Sequence, residues 1–210
     1  QDHTALLRAL NYSQETGDTM RTATVTRKTN ETDITLTLCL DGGAASISTG
    51  LGFFDHMLEQ LSRHGGMGLD LTCRGDLHVD GHHTVEDVGL ALGEALKSAL
   101  GDKKGIERYG SALTSMDEAL ILCAVDLSGR PCLRYSAEIP AQRVGDFDTE
   151  LVHEFMQALA NAGGFALHIR QLDGVNSHHI IEGMFKALAR ALKQAVAVTG
   201  SSLPSTKGVL

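Results

Sequence analysis

No tryptophan occurs in this chain, proline appears only 3 times, and aromatic residues make up 4% of its 210 residues. A core built on large rings is thereby excluded. Packing falls instead to the aliphatic side chains and alanines that dominate an apolar fraction of 42%, with 23 glycines allowing helices to approach closely. Such a core suits helices laid on a sheet. No run approaches the roughly 18 to 20 apolar residues of a membrane span. The opening stretch QDHTALLRALNYSQETGDT lacks the basic start and apolar segment of a signal peptide. Basic charge is also scarce: 18 Lys plus Arg against 26 Asp plus Glu leave a net charge of −8. That balance excludes the concentrated basic face of a nucleic-acid binder and favours a soluble, cytoplasmic protein with local cationic pockets. Cys-x-x-Cys spacing is missing as well. Cys39, Cys73, Cys123 and Cys132 sit in strand-like or apolar text, and all are expected to be buried, reduced thiols.

What is present falls into two parallel texts. From Thr22 the chain alternates, with Ile34, Leu36, Leu38 and Leu40 on one face of a half-buried strand. After Asp41-Gly42-Gly43 comes the short β-permissive AASIST, then a helix over Phe53 to His64 that ends at Gly65-Gly66. LDLTCRGDLHVD reads as one or two strands, and residues 82 to 100 as a long helix with Val85, Val88, Leu92, Leu96 and Leu100 near one stripe. The order then repeats. ALILCAVDLSG and PCLRYSAEI read as strands, VHEFMQALANA as a helix ending at Gly163-Gly164, GFALHIRQL as a strand, and about 178 to 198 as a helix. At an offset of 96 (178 − 82), Glu86 aligns with Glu182, Lys97 with Lys193, Arg74 with Arg170 and Leu71 with Leu167. A shared helical period would not align these polar residues, so the chain is read as an internal duplication. Residues 1–19 form an N-terminal extension or appended leader, 20–104 the first half, and 105–210 the second half with the PSTKG tail. The fold class is α+β, with two sheet-plus-helix halves related by a pseudo-twofold axis.

The duplicated text carries an unusual set of side chains. His82-His83-Thr84-Val85-Glu86 returns as His178-His179-Ile180-Ile181-Glu182, and His56 and His153 stand 97 apart (153 − 56). One such cluster alone is an ordinary polar helix start; its repetition in register, with a third histidine, points to metal. Residues four apart share a helix face, so His82 with Glu86, and His178 with Glu182, can each grip one ion. His83 and His179 are rotated by about 100° and serve different sites. Two equivalent sites follow, each with imidazoles and one carboxylate, and each taking either His56 or His153. This is a donor set for Mn²⁺ or its borderline competitors, with coordination positions left open for substrate. The pattern is not His-Glu-x-x-His, which leaves a zinc-protease reading without support.

FFDHMLEQLSRHGG, GDLHVDGHHTVEDVGLALGEAL, DLSGRP, VNSHHIIEGMFKALARAL and PSTKG, in that order, resemble the imidazoleglycerol-phosphate dehydratase family from about Met20 to the C-terminus. The resemblance implies a two-layer α/β sandwich of the ribosomal S5 domain 2-like kind in each half. It implies the removal of water from imidazole-glycerol phosphate in histidine biosynthesis, two Mn²⁺ per active site, and self-assembly from trimers to a 24-mer. One ion would take His82, Glu86, His153 and His179, the other His56, His83, His178 and Glu182. Glu31 and Glu182 are implied as the acid and base. Arg108, Arg130, Lys186, Ser205 and Lys207 would surround the substrate phosphate, and Gln60 and Asp117 would line the pocket. The departures at Phe54 and Cys132 touch no proposed ligand. A metal-assembled shell without lyase activity is the competing reading, and a metallohydrolase ranks below it.

Overall fold

The computed structural model describes residues 20–210; the extension expected over 1–19 lies outside the described residues. The first half runs β1 (Thr22–Lys28), β2 (Thr32–Cys39), β3 (Ala45–Ser48), α1 (Gly52–Gly65), β4 (Gly68–Gly75) and α2 (His82–Leu100). The second runs β5 (Tyr109–Met116), β6 (Ala119–Asp126), β7 (Cys132–Ser136), the hairpin β8 (Arg143–Val144) and β9 (Phe147–Asp148), then α3 (Leu151–Gly163), β10 (Ala166–Asp173) and α4 (Ser177–Ala195). The sheets have matching orders, β1-β2-β4-β3 and β5-β6-β10-β7. In each, the short edge strand is parallel to its neighbour and the other pairings are antiparallel.

Register confirms the duplication residue by residue. Leu36 pairs with Leu71 and Val125 with Leu167, so the two sheets match pair for pair, at an offset of 96 between β4 and β10 (167 − 71) and of 89 between β2 and β6 (125 − 36). The outer faces have diverged: the Lys28–Asp33 ion pair of 2.9 Å has as its counterpart the exposed neighbours Leu113 and Leu122.

The helices lie between the sheets and pair across the halves. Helix α2 packs on β1, β2 and α3, while α4 packs on β5, β6 and α1. Their apolar stripes, with Val88, Leu92, Phe155, Leu159, Met184 and Leu188, join one core. Close approach depends on missing side chains. A Cβ on Gly93 would stand 2.7 Å from the Leu159 carbonyl of α3, and one on Gly110 only 1.9 Å from the Ala191 carbonyl of α4. That second contact explains why β5 does not show in the sequence. Its inner positions Gly110, Ala112 and Thr114 are small, and at Gly110 a helix backbone lies against the strand, so the apolar alternation of a half-buried strand is missing.

Of the one or two strands expected in LDLTCRGDLHVD there is one, because after Gly75 the chain turns, with Asp76 N–H donating to the Glu31 carbonyl and Val79 N–H to that of Asp76. Two other expectations are corrected here. Helix α4 stops at Ala195, where the N–H of Arg108 takes the Ala195 carbonyl and that of Glu107 the Ala197 carbonyl. Cys39, Cys73 and Cys123 are buried, and burial pushes the Cys73 and Cys123 thiols up to about 12; Cys132 is exposed, on the edge strand β7. Among the described residues no helix is long and apolar enough to cross a membrane.

Candidate active site and metal centre

Helix starts deliver the histidines. Asn176 caps α4 by accepting the N–H groups of His178 (3.0 Å) and His179 (3.2 Å), and Asp80 accepts the N–H of His82 at 2.8 Å. On α4 the His178 and Glu182 side chains meet one turn apart, with His178 Nε2 3.0 Å from Glu182 Oε2. Helix α1 brings His56 Nε2 to 3.4 Å from the same oxygen. The other oxygen, Oε1, accepts from Lys186 Nζ at 2.6 Å. Burial opposes ionisation of Glu182, but the hydrogen bonds from Lys186 and His178, with the Lys186 charge, outweigh it and hold the carboxyl below its usual range. The side chain of Glu182 is only 8% exposed; this buried anion faces two imidazole nitrogens.

The ligand atoms of His56, His178 and Glu182 lie within 4.8 Å of one another, and no other such group of three occurs among the described residues. Neighbouring ligands of an octahedral ion bound at about 2.1 Å stand about 3.0 Å apart, close to the observed 3.0 and 3.4 Å. Two imidazoles and a carboxylate therefore fit a borderline divalent cation. The duplicated counterpart is more open: His82 Nε2 and Glu86 Oε2 are 3.8 Å apart and about half exposed. His153 instead places Nδ1 3.4 Å from Glu154 and its ring edge-on to Tyr135 at 5.3 Å.

His83 and His179 point elsewhere, as helix geometry requires, and each is held by a carboxylate. His83 Nδ1 is 3.0 Å from Asp76 Oδ2, and His179 Nδ1 is 2.7 Å from Glu118 Oε2. These hydrogen bonds raise both imidazole pKa values. Glu118 also accepts the N–H groups of Asn176 and Val175; led by the His179 bond, these contacts hold its carboxyl at about 2. With Nδ1 engaged, Nε2 of each ring is left to a ligand. Glu31, in the β1–β2 turn, places Oε1 3.7 Å from His83 Nε2; Asp117, in the matching β5–β6 turn, places Oδ2 3.5 Å from His179 Nε2. The two acids expected in separate roles thus sit in corresponding turns, each facing the Nε2 of a second histidine. Asp76 and Glu118 were not singled out by sequence, although Asp76 lies in the quoted GDLHVDGHH and Glu118 directly follows Asp117.

The expected phosphate ligands occupy two places. Lys186 is bound to Glu182. Arg108 donates to both oxygens of Asp126 (2.7 and 3.2 Å) and to the Pro204 carbonyl (2.9 Å). Its N–H bonds Ala195, nine residues beyond Lys186 (195 − 186), which is about 13 Å along a helix. Ser205 Oγ donates to the Val209 carbonyl at 2.8 Å and accepts the Lys207 N–H at 3.2 Å, while the Lys207 and Arg130 side chains are exposed. Gln60 Oε1 lies 3.2 Å from His64 Nε2, in a cleft of about 870 Å³ that His56 also lines.

A family model described as imidazoleglycerol-phosphate dehydratase matches residues 49–192. The chain belongs to the imidazoleglycerol-phosphate dehydratase family. It is 57% identical to the imidazoleglycerol-phosphate dehydratase of Jannaschia sp. (strain CCS1) and 54% identical to that of Ruegeria pomeroyi, in each case over 91% of this chain and 100% of the relative. The crystal structure of the Staphylococcus aureus dehydratase superposes with a TM-score of 0.78 at 38% identity, covering 85% of this chain and 99% of that one. The Pyrococcus furiosus structure gives 0.76 at 37%, covering 89% and 100%. The chain is a hydro-lyase of histidine biosynthesis, and its substrate is a small molecule.

Proposed function

We propose that the chain dehydrates imidazole-glycerol phosphate to imidazole-acetol phosphate with two Mn²⁺ per active site, in the cytoplasm, as an assembly of trimers building to a 24-mer. The observation that carries the metal reading is the buried Glu182 carboxylate facing His56 and His178. One ion would take these three with His83, the other His82, Glu86, His153 and His179. Within one chain His83 stands outside the converged group and the second set does not gather, and Lys186 is apart from Arg108; subunits meeting at the site would complete both. A bound divalent ion supplies Lewis acidity toward a ring nitrogen of the substrate.

The chain's own residues do the rest. Elimination takes the hydroxide from the carbon beside the ring and one proton from its hydroxyl-bearing neighbour, and the enol so formed becomes the ketone as it loses its hydroxyl proton and the carbon beside the ring gains one. Glu31 and Glu182 move these protons, Glu31 from a turn beside His83 and Glu182 from among the ligands. Arg108, Arg130, Lys186, Ser205 and Lys207 hold the phosphate, while Gln60 and Asp117 border the ring. Turnover should vanish on chelation and return with Mn²⁺. Metal-loaded protein inert toward this substrate would overturn the proposal. A shell held together by metal alone has no need of Arg108, Arg130 or Lys207, so substituting them separates the two: the enzyme loses substrate affinity, the shell nothing.

A further inference from the structure

Helix α1 has no capping side chain at its own N-cap, Leu51, yet its first amides are not free. The N–H of Gly52 donates to Asp146 Oδ2 at 2.8 Å and that of Phe53 to Asp146 Oδ1 at 3.2 Å. Asp146 belongs to the other half, in the two-residue turn of the β8–β9 hairpin, which Gly145 closes with φ of 60°. No hairpin stands between β3 and α1 in the first half. A carboxylate bridging two first-turn amides satisfies orphan donors and complements the helix dipole. Phe147, the next residue, is fully buried, with its ring 5.6 Å from Phe53 and 5.8 Å from Phe54. The hairpin turn thus grips the start of α1 by two hydrogen bonds and an aromatic contact.

That grip reaches the candidate ligands. Phe53 sets its ring edge-on to His178, 5.1 Å between centroids, and His56 follows Phe53 by one turn. The duplicated counterpart of α1 is α3, which starts without a side-chain cap. There His82 and Glu86 are 3.8 Å apart, and His153 faces Glu154 and Tyr135. The converged ligand set lies on the side that the hairpin clamps.

We infer that Asp146 is a positioning residue: its carboxylate fixes the first turn of α1 so that His56 and, through Phe53, His178 converge on Glu182 before any ion arrives. This rests on reading those three residues as ligands of a divalent ion. The test is Mn²⁺ binding by the full chain, followed by the magnetic resonance signal of the free ion. In a His82→Ala/Glu86→Ala background only the α1–α4 set remains, and Asp146→Ala should weaken Mn²⁺ binding about tenfold. Asp146→Asn, which keeps one acceptor oxygen, should weaken it about threefold. In a His56→Ala/His178→Ala background, which removes both histidines that Asp146 positions, Asp146→Ala should change nothing. Without metal, Asp146→Ala should also speed amide exchange at Gly52 and Phe53. Unchanged affinity in the first background, or equal losses in both, overturns the inference while leaving the ligand reading intact. If Asp146→Ala does not fold, the Asn variant decides by the same comparison. A His82→Ala/Glu86→Ala protein that binds no Mn²⁺ overturns the ligand reading, and the inference with it.

Discussion

Glu182 carries two partners on one oxygen and one on the other: His56 and His178 share Oε2, while Lys186 holds Oε1. Glu182→Gln removes the anion and leaves Lys186 facing an amide, and kcat/KM should fall more than about 100-fold; an assay at saturating Mn²⁺ checks this. The second histidines predict a pH dependence. Hydrogen bonds donated to Glu118 and Asp76 raise His179 and His83 above their ordinary 6.5. In metal-free protein the stabilisation from these pairs is therefore fully present below about 6.5 and fades as pH rises through the raised values. On the acid side, the Glu118 contribution is present above the ordinary 4.5 of a glutamate and disappears as pH falls through about 2. Metal requires neutral imidazole, so Mn²⁺ affinity should climb while the metal-free pairing fades. Glu118→Gln should move that climb to lower pH in a calorimetric titration; an unmoved curve would show that Glu118 does not set the His179 proton.

Among the elements, those with a strong period were legible in the sequence. The glycine stops at Gly66 and Gly164, both in the left-handed region, end α1 and α3 as expected, and α2 spans residues 82 to 100 as read. The strand β5 was not legible, because its inner side chains are small, at Gly110 for a reason located elsewhere, the α4 backbone. Gly110→Ala should accordingly cost about 2 kcal/mol, whereas Gly200→Ala, with nothing within 4 Å of its Cβ, should cost under about 0.5 kcal/mol. Chemical denaturation of both variants makes the comparison. The β8–β9 hairpin was equally silent, since two-residue strands are too short to show a period. Of the candidate site, the six duplicated histidines and two glutamates could be proposed because repetition marks them, and of these the structure brings together His56, His178 and Glu182. Asp76, Glu118 and Asp146 could not, since each acts through contacts made only after folding, with sequence separations of 7, 61 and 93 or 94 residues.

At the scale of the molecule, two copies of one motif face each other through their helices, and the copies are not equal. One candidate His/Glu set is converged beside a helix start that a hairpin of the other half holds, while its duplicated counterpart is more open. Assembly should therefore respond to metal: light scattering with and without Mn²⁺ should show small oligomers becoming larger ones, and Glu86→Ala with Glu182→Ala should leave them small. The most direct test of the central claim is a crystal of the chain grown with Mn²⁺, measured by anomalous diffraction. A manganese peak about 2.1 to 2.3 Å from His56 Nε2, His178 Nε2 and Glu182 Oε2 is the predicted result. Side chains turned toward solvent, with no peak among them, would contradict it.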